Sequence, residues 1–388
     1  MMVDNRLFAI CIVVIIILIF GIRGVLVGIL LGWFLFTFPI IGNPLYIGSS
    51  EVSDKLIKDD FPYKKLNIKL PDLIARFDRL KSFKFHIVPH KYFIKNIRPD
   101  LLKYDGKQLV IDHPKSYYET YDNISDYFIE PVRVKCVRSD QKQSVFEYWK
   151  NNKPTIQKHC KDKYGKLTTH NLRESIFDLI RECNTFKPSL ITGFIHMFKP
   201  KSVLDISAGW ADRLIGCLAC NVDYIGVDPA DLHDEYKRIT ETFEHTSSAI
   251  LLKGKFEDPK IQFDRKVDMV FSSPPFYDLE KYSKDESQSY MNRSVDEWFS
   301  QFLMVSIKKA WSYLLDGGHM VLYVADAYNR TPYVQRMIDE IGKISGSKYM
   351  GCLPQMDLNE KKPRPFWIWE KIPVKKGGLD IMSGIIGF

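Results

Sequence analysis

The run Val270-Phe271-Ser272-Ser273-Pro274-Pro275-Phe276-Tyr277 carries an apolar strand straight into a small polar residue, two prolines and two aromatics. Proline has a fixed φ and no N–H, so the prolines hold the Ser273 main-chain carbonyl toward a cavity instead of continuing a ladder. That geometry suits a planar amino group whose lone pair is delocalised into a ring. Two acceptors, the Ser273 side chain or carbonyl and the Pro274 carbonyl, can hold its two hydrogens and aim the lone pair at an electrophilic methyl group. Phe276 can stack on the ring face.

A second constellation lies 68 residues upstream, in Val203-Leu204-Asp205-Ile206-Ser207-Ala208-Gly209-Trp210-Ala211-Asp212-Arg213. A strand ends in an acid, passes a tight small-residue turn and opens a helix. Gly209 lets backbone approach a ligand, and the helix amino terminus offers free N–H donors. Twenty-three residues after Asp205 another strand ends at Asp228, placed to accept hydrogen bonds from a ribose diol. The loop is not G-x-G-x-x-G, which disfavours a nicotinamide or flavin. An acid at the first strand end instead suits a ligand bearing an amino group, pointing to S-adenosylmethionine. Cys217 and Cys220, three apart on the following helix, lack a second pair to complete four metal ligands. They read as small buried thiols, and no metal site is expected.

Both loops need strand tips on one edge of a sheet, and the pattern from Lys201 supplies them. Strands are expected at Ser202–Ile206, Tyr224–Val227, Ile250–Phe256, Val267–Ser273, His319–Asp326 and Phe366–Glu370. Helices are expected at Arg213–Cys220, His233–His245, Asp296–Leu314 and Pro332–Ile344, with Asp316-Gly317-Gly318 as a turn. Alternating β and α over this length predicts an α/β, doubly wound, mostly parallel sheet with its ligands at the carboxyl ends of the strands.

The chain has 388 residues, 45% hydrophobic and 26% charged, which excludes disordered and collagen-like classes. Seven cysteines are too few for a disulfide scaffold and suit a reducing compartment. The net charge of +8 is uneven: residues 51–200 hold 29 basic and 19 acidic side chains, and residues 201–300 hold 12 and 19. Leu7–Ile22 and Gly24–Ile41 are free of charge on either side of Arg23. A single span needs about 20 apolar residues, so residues 7–41 are expected to form a membrane anchor, a hairpin or one span with an interfacial continuation. Ile68–Leu80 has helical spacing and Phe83–Val88 alternates as a strand. Lys91, Tyr92, Lys95, Arg98, Lys103, Tyr104, Lys107, Lys115, Tyr117 and Tyr118 follow. They are a candidate nucleic-acid grip, with tyrosines packed on a core as the alternative.

Residues 184–371 resemble class I S-adenosylmethionine-dependent amino-methyltransferases of the branch that modifies exocyclic nitrogens of nucleobases. Asp205–Gly209 resembles the family's cofactor loop, Asp228 its ribose-binding acid, and Phe256-Glu257-Asp258 the segment beside adenine. Ser273-Pro274-Pro275-Phe276 resembles the catalytic (D/N/S)-P-P-(Y/F) tetrapeptide. Thr185-Phe186-Lys187-Pro188-Ser189 is similar to the cover of the cofactor's methionine end, and Pro363–Trp369 to the sheet's final strand. The resemblance implies a Rossmann-like sheet that binds S-adenosyl-L-methionine through Phe186, Pro188, Asp205, Ser207, Ala208, Gly209, Trp210, Arg213, Asp228, Phe256 and Glu257. It also implies catalysis at Ser273, Pro274, Pro275 and Phe276. Nucleic acid is the expected partner, DNA before RNA.

The expected organisation is an anchor (1–44), a basic α+β region (45–183) as substrate reader, the methyltransferase domain (184–373) and a tail (374–388). The catalytic domain would face the cytosolic side of a membrane. Alternatives are an RNA base or protein glutamine amide as acceptor, or an inactive membrane scaffold. The sequence departs from the family at Ala211, where many members carry a second glycine, and in lacking a large recognition domain after the catalytic strand.

Overall fold

A computed structural model describes residues 61–282, 287–291, 293–327, 330–359 and 362–374. The expected anchor lies outside the described residues. Among those residues, no helix is long and apolar enough to cross a membrane.

Eleven strands form in chain order: β1 (His86–Pro89), β2 (Leu109–Asp112), β3 (Val137–Arg138), β4 (Ser202–Asp205), β5 (Asp223–Asp228), β6 (Ala249–Lys253), β7 (Val267–Ser272), β8 (Glu280–Lys281), β9 (Leu314–Tyr323), β10 (Ser347–Met356) and β11 (Arg364–Lys371). The helices used below are α1 (Leu70–Leu80), α2 (Asp126–Arg133), α3 (Val145–Tyr164), α4 (Thr169–Leu179), α5 (Pro188–Phe198), α6 (Asp212–Ala219) and α7 (His233–Thr242).

Nine strands join one sheet in the order β1-β2-β10-β11-β9-β7-β4-β5-β6. β4, β5, β6, β7 and β9 are mutually parallel, while β11 runs antiparallel to both β9 and β10. The chain leaves β4 outward through β5 and β6, then returns to β7 and β9 on the other flank. The β4/β7 seam is therefore the point where strand order reverses, and the crevice above it is where such sheets take ligands. All of β4 and most of β7 are buried, as expected for strands covered on both faces.

Two apolar layers sandwich the sheet. One combines α5 and α6 with Leu73, Phe77, Leu80, Phe83, Ile111, Ile124, Phe128 and Ile129 from the amino-terminal half. The other packs Trp298, Phe302, Ile307 and Trp311 against Leu204, Val270, Leu322 and Trp367. Residues 61–183 thus share both sheet and core with the α/β pattern that follows them. They also fold onto themselves around Trp149, Ile156 and Leu172. There α3 starts at a reciprocal Ser144–Glu147 capping box and kinks at Asn152, two residues before Pro154.

The expected helix at Ile68–Leu80 is present as α1, and the α/β elements fall within a few residues of the predicted ranges. The differences have physical reasons. β9 begins at Leu314 rather than His319, because Val267 of β7 pairs with Leu314 across an irregular register around Gly317. β10 was not expected. In the tyrosine-rich stretch the packed alternative holds: Tyr92 donates to the Leu102 carbonyl at 2.6 Å, and the Tyr117 ring meets Phe83 at 5.5 Å. Lys91, Lys95, Lys103, Lys107 and Lys115 remain exposed.

Candidate active site at the reversal of the sheet

Above the β4/β7 seam lies a cleft of about 1080 Å³. Pockets for one drug-sized ligand run from roughly 300 to 1,000 Å³, so this cleft has room for a cofactor and part of a second molecule. Its wall includes Phe186, Ser207, Gly209, Trp210, Arg213, Asp228, Phe256 and Glu257 together with Ser273, Pro274, Pro275 and Phe276. The two sequence constellations therefore open onto one space. A direct bond joins them: Ser272 Oγ donates to Asp205 Oδ1 at 2.7 Å.

The turn after β4 is built as its residue types require. Gly209 has φ +54°, a backbone conformation natural to glycine. Its N–H donates to Asp228 Oδ2 at 2.8 Å, and its carbonyl accepts from Tyr236 at 2.6 Å. Asp228 Oδ1 accepts the Ala230 N–H at 2.9 Å. Two backbone donors thus fix the Asp228 carboxylate on the cleft wall, although burial pushes its pKa up. Ala211 takes φ +67° while fully buried, so this alanine adopts a backbone natural to glycine.

Three of the expected cofactor-binding residues lie off the cleft lining. Asp205 is fully buried and does not line the cleft. Oδ1 accepts Ser272 and the Ser207 N–H, and Oδ2 accepts Arg213 Nε at 2.6 Å and Tyr224 at 2.8 Å. With both oxygens committed, Asp205 holds Arg213 instead of offering a carboxylate to a ligand's amine. Ala208 points into the core, and Pro188 opens α5 at its first position with its side chain buried. Neither lines the cleft. Arg213 also donates to the Ser207 carbonyl, and its guanidinium lies 5.2 Å from the Phe186 ring.

The tetrapeptide lies on the cleft wall. Ser273, Pro275 and Phe276 are half-buried on the wall, and Ser273 Oγ has no hydrogen-bond partner among the described residues. Phe276 lies 5.6 Å from Tyr323. Tyr277 has φ +54° and anchors its hydroxyl on the Arg293 carbonyl at 2.8 Å. A bulky residue in this region is strained, and here the strain sits at the turn that aims the loop.

Several cleft residues escaped sequence reasoning. Asp212 accepts Ser125 Oγ at 2.6 Å and the Phe186 N–H at 3.1 Å, tying the Phe186 segment to the start of α6, and burial drives its pKa well up. Glu280 accepts the Asn184 N–H at 3.0 Å and the Tyr282 hydroxyl at 2.9 Å, while β8, which carries it, pairs with β3. Tyr282 meets Trp210 edge-on at 5.6 Å. The signal available for Asp212 was its place in a helix's first turn, where a carboxylate is favoured. Glu280 gave none, since its partners come from distant segments. Cys217 is buried in the core.

No family model matches the chain, and no curated protein matches it. Solved structures do resemble it. TrmN from Thermus thermophilus is 14% identical, with 49% of this chain and 50% of that chain covered and a TM-score of 0.34. NSun6 from Pyrococcus horikoshii with SFG is 13% identical over 48% of this chain and 52% of that one, TM-score 0.35. A protein described as a class I S-adenosylmethionine-dependent methyltransferase from Listeria monocytogenes is 15% identical over 79% of this chain and 88% of that one, TM-score 0.39. The chain spans about half the length of the first two.

Proposed function

We propose that the chain is an S-adenosylmethionine-dependent methyltransferase acting on an exocyclic amine of a nucleobase. The observation that carries this reading is the 2.7 Å bond from Ser272 to Asp205. It holds the Gly209–Asp228 side and the Ser273–Phe276 loop against one cleft. The residues suit such a cofactor. Asp228 presents a pinned carboxylate for a ribose diol, Phe256 and Glu257 on the cleft wall would flank the adenine, and Gly209 lets backbone approach. Arg213, fixed by Asp205, faces the end where an amino-acid carboxylate would lie.

When bound, the cofactor supplies an electrophilic methyl group. The chain's own residues then orient the acceptor. Ser273 and the Pro274 carbonyl accept the two amine hydrogens, and Phe276 stacks on the base. This pulls the amine lone pair out of conjugation and directs it across the seam. A base with a shifted pKa is not required, because the proton leaves after attack. DNA is the first expectation and RNA the second, and residues 7–41 would tether the enzyme to a membrane with the cleft on the reducing side.

Incubating the full chain with tritiated S-adenosylmethionine and DNA, RNA or protein, followed by nucleoside analysis, tests the reading. Label in a methylated nucleoside is expected, and label in glutamine would transfer the chemistry to an amide. S-adenosylhomocysteine is expected to raise the melting temperature, and no shift would leave only the scaffold reading. Ser273→Ala and Pro274→Ala are each expected to lower transfer at least tenfold while the melting shift with S-adenosylhomocysteine stays as in the parent.

A further inference from the structure

Four cations on the cleft wall pair with carboxylates. Lys64 pairs with Asp126 at 2.7 Å, Arg133 with Glu182 at 3.2 Å, Arg173 with Glu130 at 2.7 Å and Arg213 with Asp205 at 2.6 Å. Arg364 differs. It lines the same cleft, is half-buried, and its guanidinium makes no hydrogen bond or ion pair among the described residues. Its charge is still felt locally, contributing to the low pKa of His113.

The fold puts Arg364 at the strand-end edge of the sheet, in the cleft that the tetrapeptide lines. Arg364 is the first residue of β11, whose reversed direction brings its start to the edge where the parallel strands end. It shares a face with Phe366, two residues on. The Phe366 ring lies 5.0 Å from Tyr323, which lies 5.6 Å from Phe276; the Phe366 and Tyr323 rings also border Phe186, at 6.1 and 5.8 Å. Along the sheet, β11 is two strands from β7 and three from β4. With about 4.8 Å between strands, that is roughly 10 Å from the tetrapeptide's strand and roughly 14 Å from the Gly209 turn. The first distance suits the span from a stacked base to its own phosphate, given the length of an arginine side chain.

A partly buried charge without a counter-charge is costly, and a planar guanidinium fork matches two phosphate oxygens. We propose that Arg364 binds a backbone phosphate of the target strand, beside the base held by Ser273–Phe276. This rests on the nucleic-acid reading above and deepens it, since it names a residue that fixes where along the strand the base is presented.

The test is binding of a labelled single-stranded oligonucleotide to the full chain over a series of potassium chloride concentrations. It is run for the parent, Arg364→Gln and Arg364→Lys, with S-adenosylhomocysteine affinity measured on each. Each phosphate contact contributes roughly 0.7 to the slope of log affinity against log salt for a single strand. Arg364→Gln is expected to lower the slope by about that amount, Arg364→Lys to retain it, and S-adenosylhomocysteine affinity to stay level in all three. An unchanged slope in Arg364→Gln overturns the proposal. So does a fall in S-adenosylhomocysteine affinity, which would assign the bound anion to the cofactor. A parent chain that binds S-adenosylhomocysteine but no oligonucleotide overturns the nucleic-acid reading itself.

Discussion

At the scale of single residues, the cleft floor depends on carboxylates that burial holds away from their ordinary behaviour. Asp122 Oδ1 accepts both Ser189 Oγ at 2.8 Å and the Ser189 N–H at 3.3 Å, and Ser189 Oγ also meets His113 Nε2 at 2.8 Å. Burial raises Asp122 to about 7, and burial together with Lys187 lowers His113 to about 3. An acid whose folded pKa lies above its unfolded value favours the protonated fold. Its contribution to stability is therefore lost as pH climbs from about 4 toward 7. Asp122→Asn keeps an oxygen acceptor for Ser189 and removes that loss. The variant is expected to melt close to the parent at pH 4 and above it at pH 8, with the gap opening between those values. A constant gap across the range would show that Asp122 does not titrate there.

At the scale of elements, Ala211 shows how a turn's backbone can be stricter than its sequence suggests. At φ +67° with no exposure, a β-branched side chain would be strained as well as overpacked. Ala211→Val is expected to cost roughly 2 kcal/mol or more in chemical denaturation. In Ala211→Gly, relieved strain opposes the lost methyl burial and added chain entropy, so the change is expected to stay within roughly 1 kcal/mol.

The same contrast explains what the sequence disclosed. β4, β5 and β7 were legible because strands buried on both faces are short apolar runs bounded by turns. Ser273–Phe276 was legible because proline leaves few conformations open. β10 was not, since Ser347–Met356 contains Gly351 and Pro354 and alternates poorly. It is held by β11 on one side and by two residue pairs with β2 on the other. The hydrogen-bond partners of Asp205 were hidden too, because Arg213, Tyr224 and Ser272 reach it only through packing.

At the scale of the whole molecule, the basic amino-terminal half and the α/β half are one folding unit. Phe77 stacks on Phe243 at 4.2 Å, and Phe128 meets the same ring at 5.9 Å. Lys64, Asp126, Glu130, Arg133, Arg173 and Glu182 form a largely buried set of three cations and three carboxylates, four of which border the cleft. A fragment starting at residue 184 would expose the apolar face that α1 and α2 cover. It is expected to give no cooperative melting transition, whereas residues 61–374 are expected to unfold in one step. A cooperative, soluble 184–374 fragment would show that the covering half is dispensable. The hydroxyl–carboxylate contact between Ser272 and Asp205 has a mechanical meaning within this unit. The two walls of the cleft are coupled by this contact as well as by the β4–β7 ladder, so neither can shift without dragging the other, and the gap between them is set by the scaffold itself.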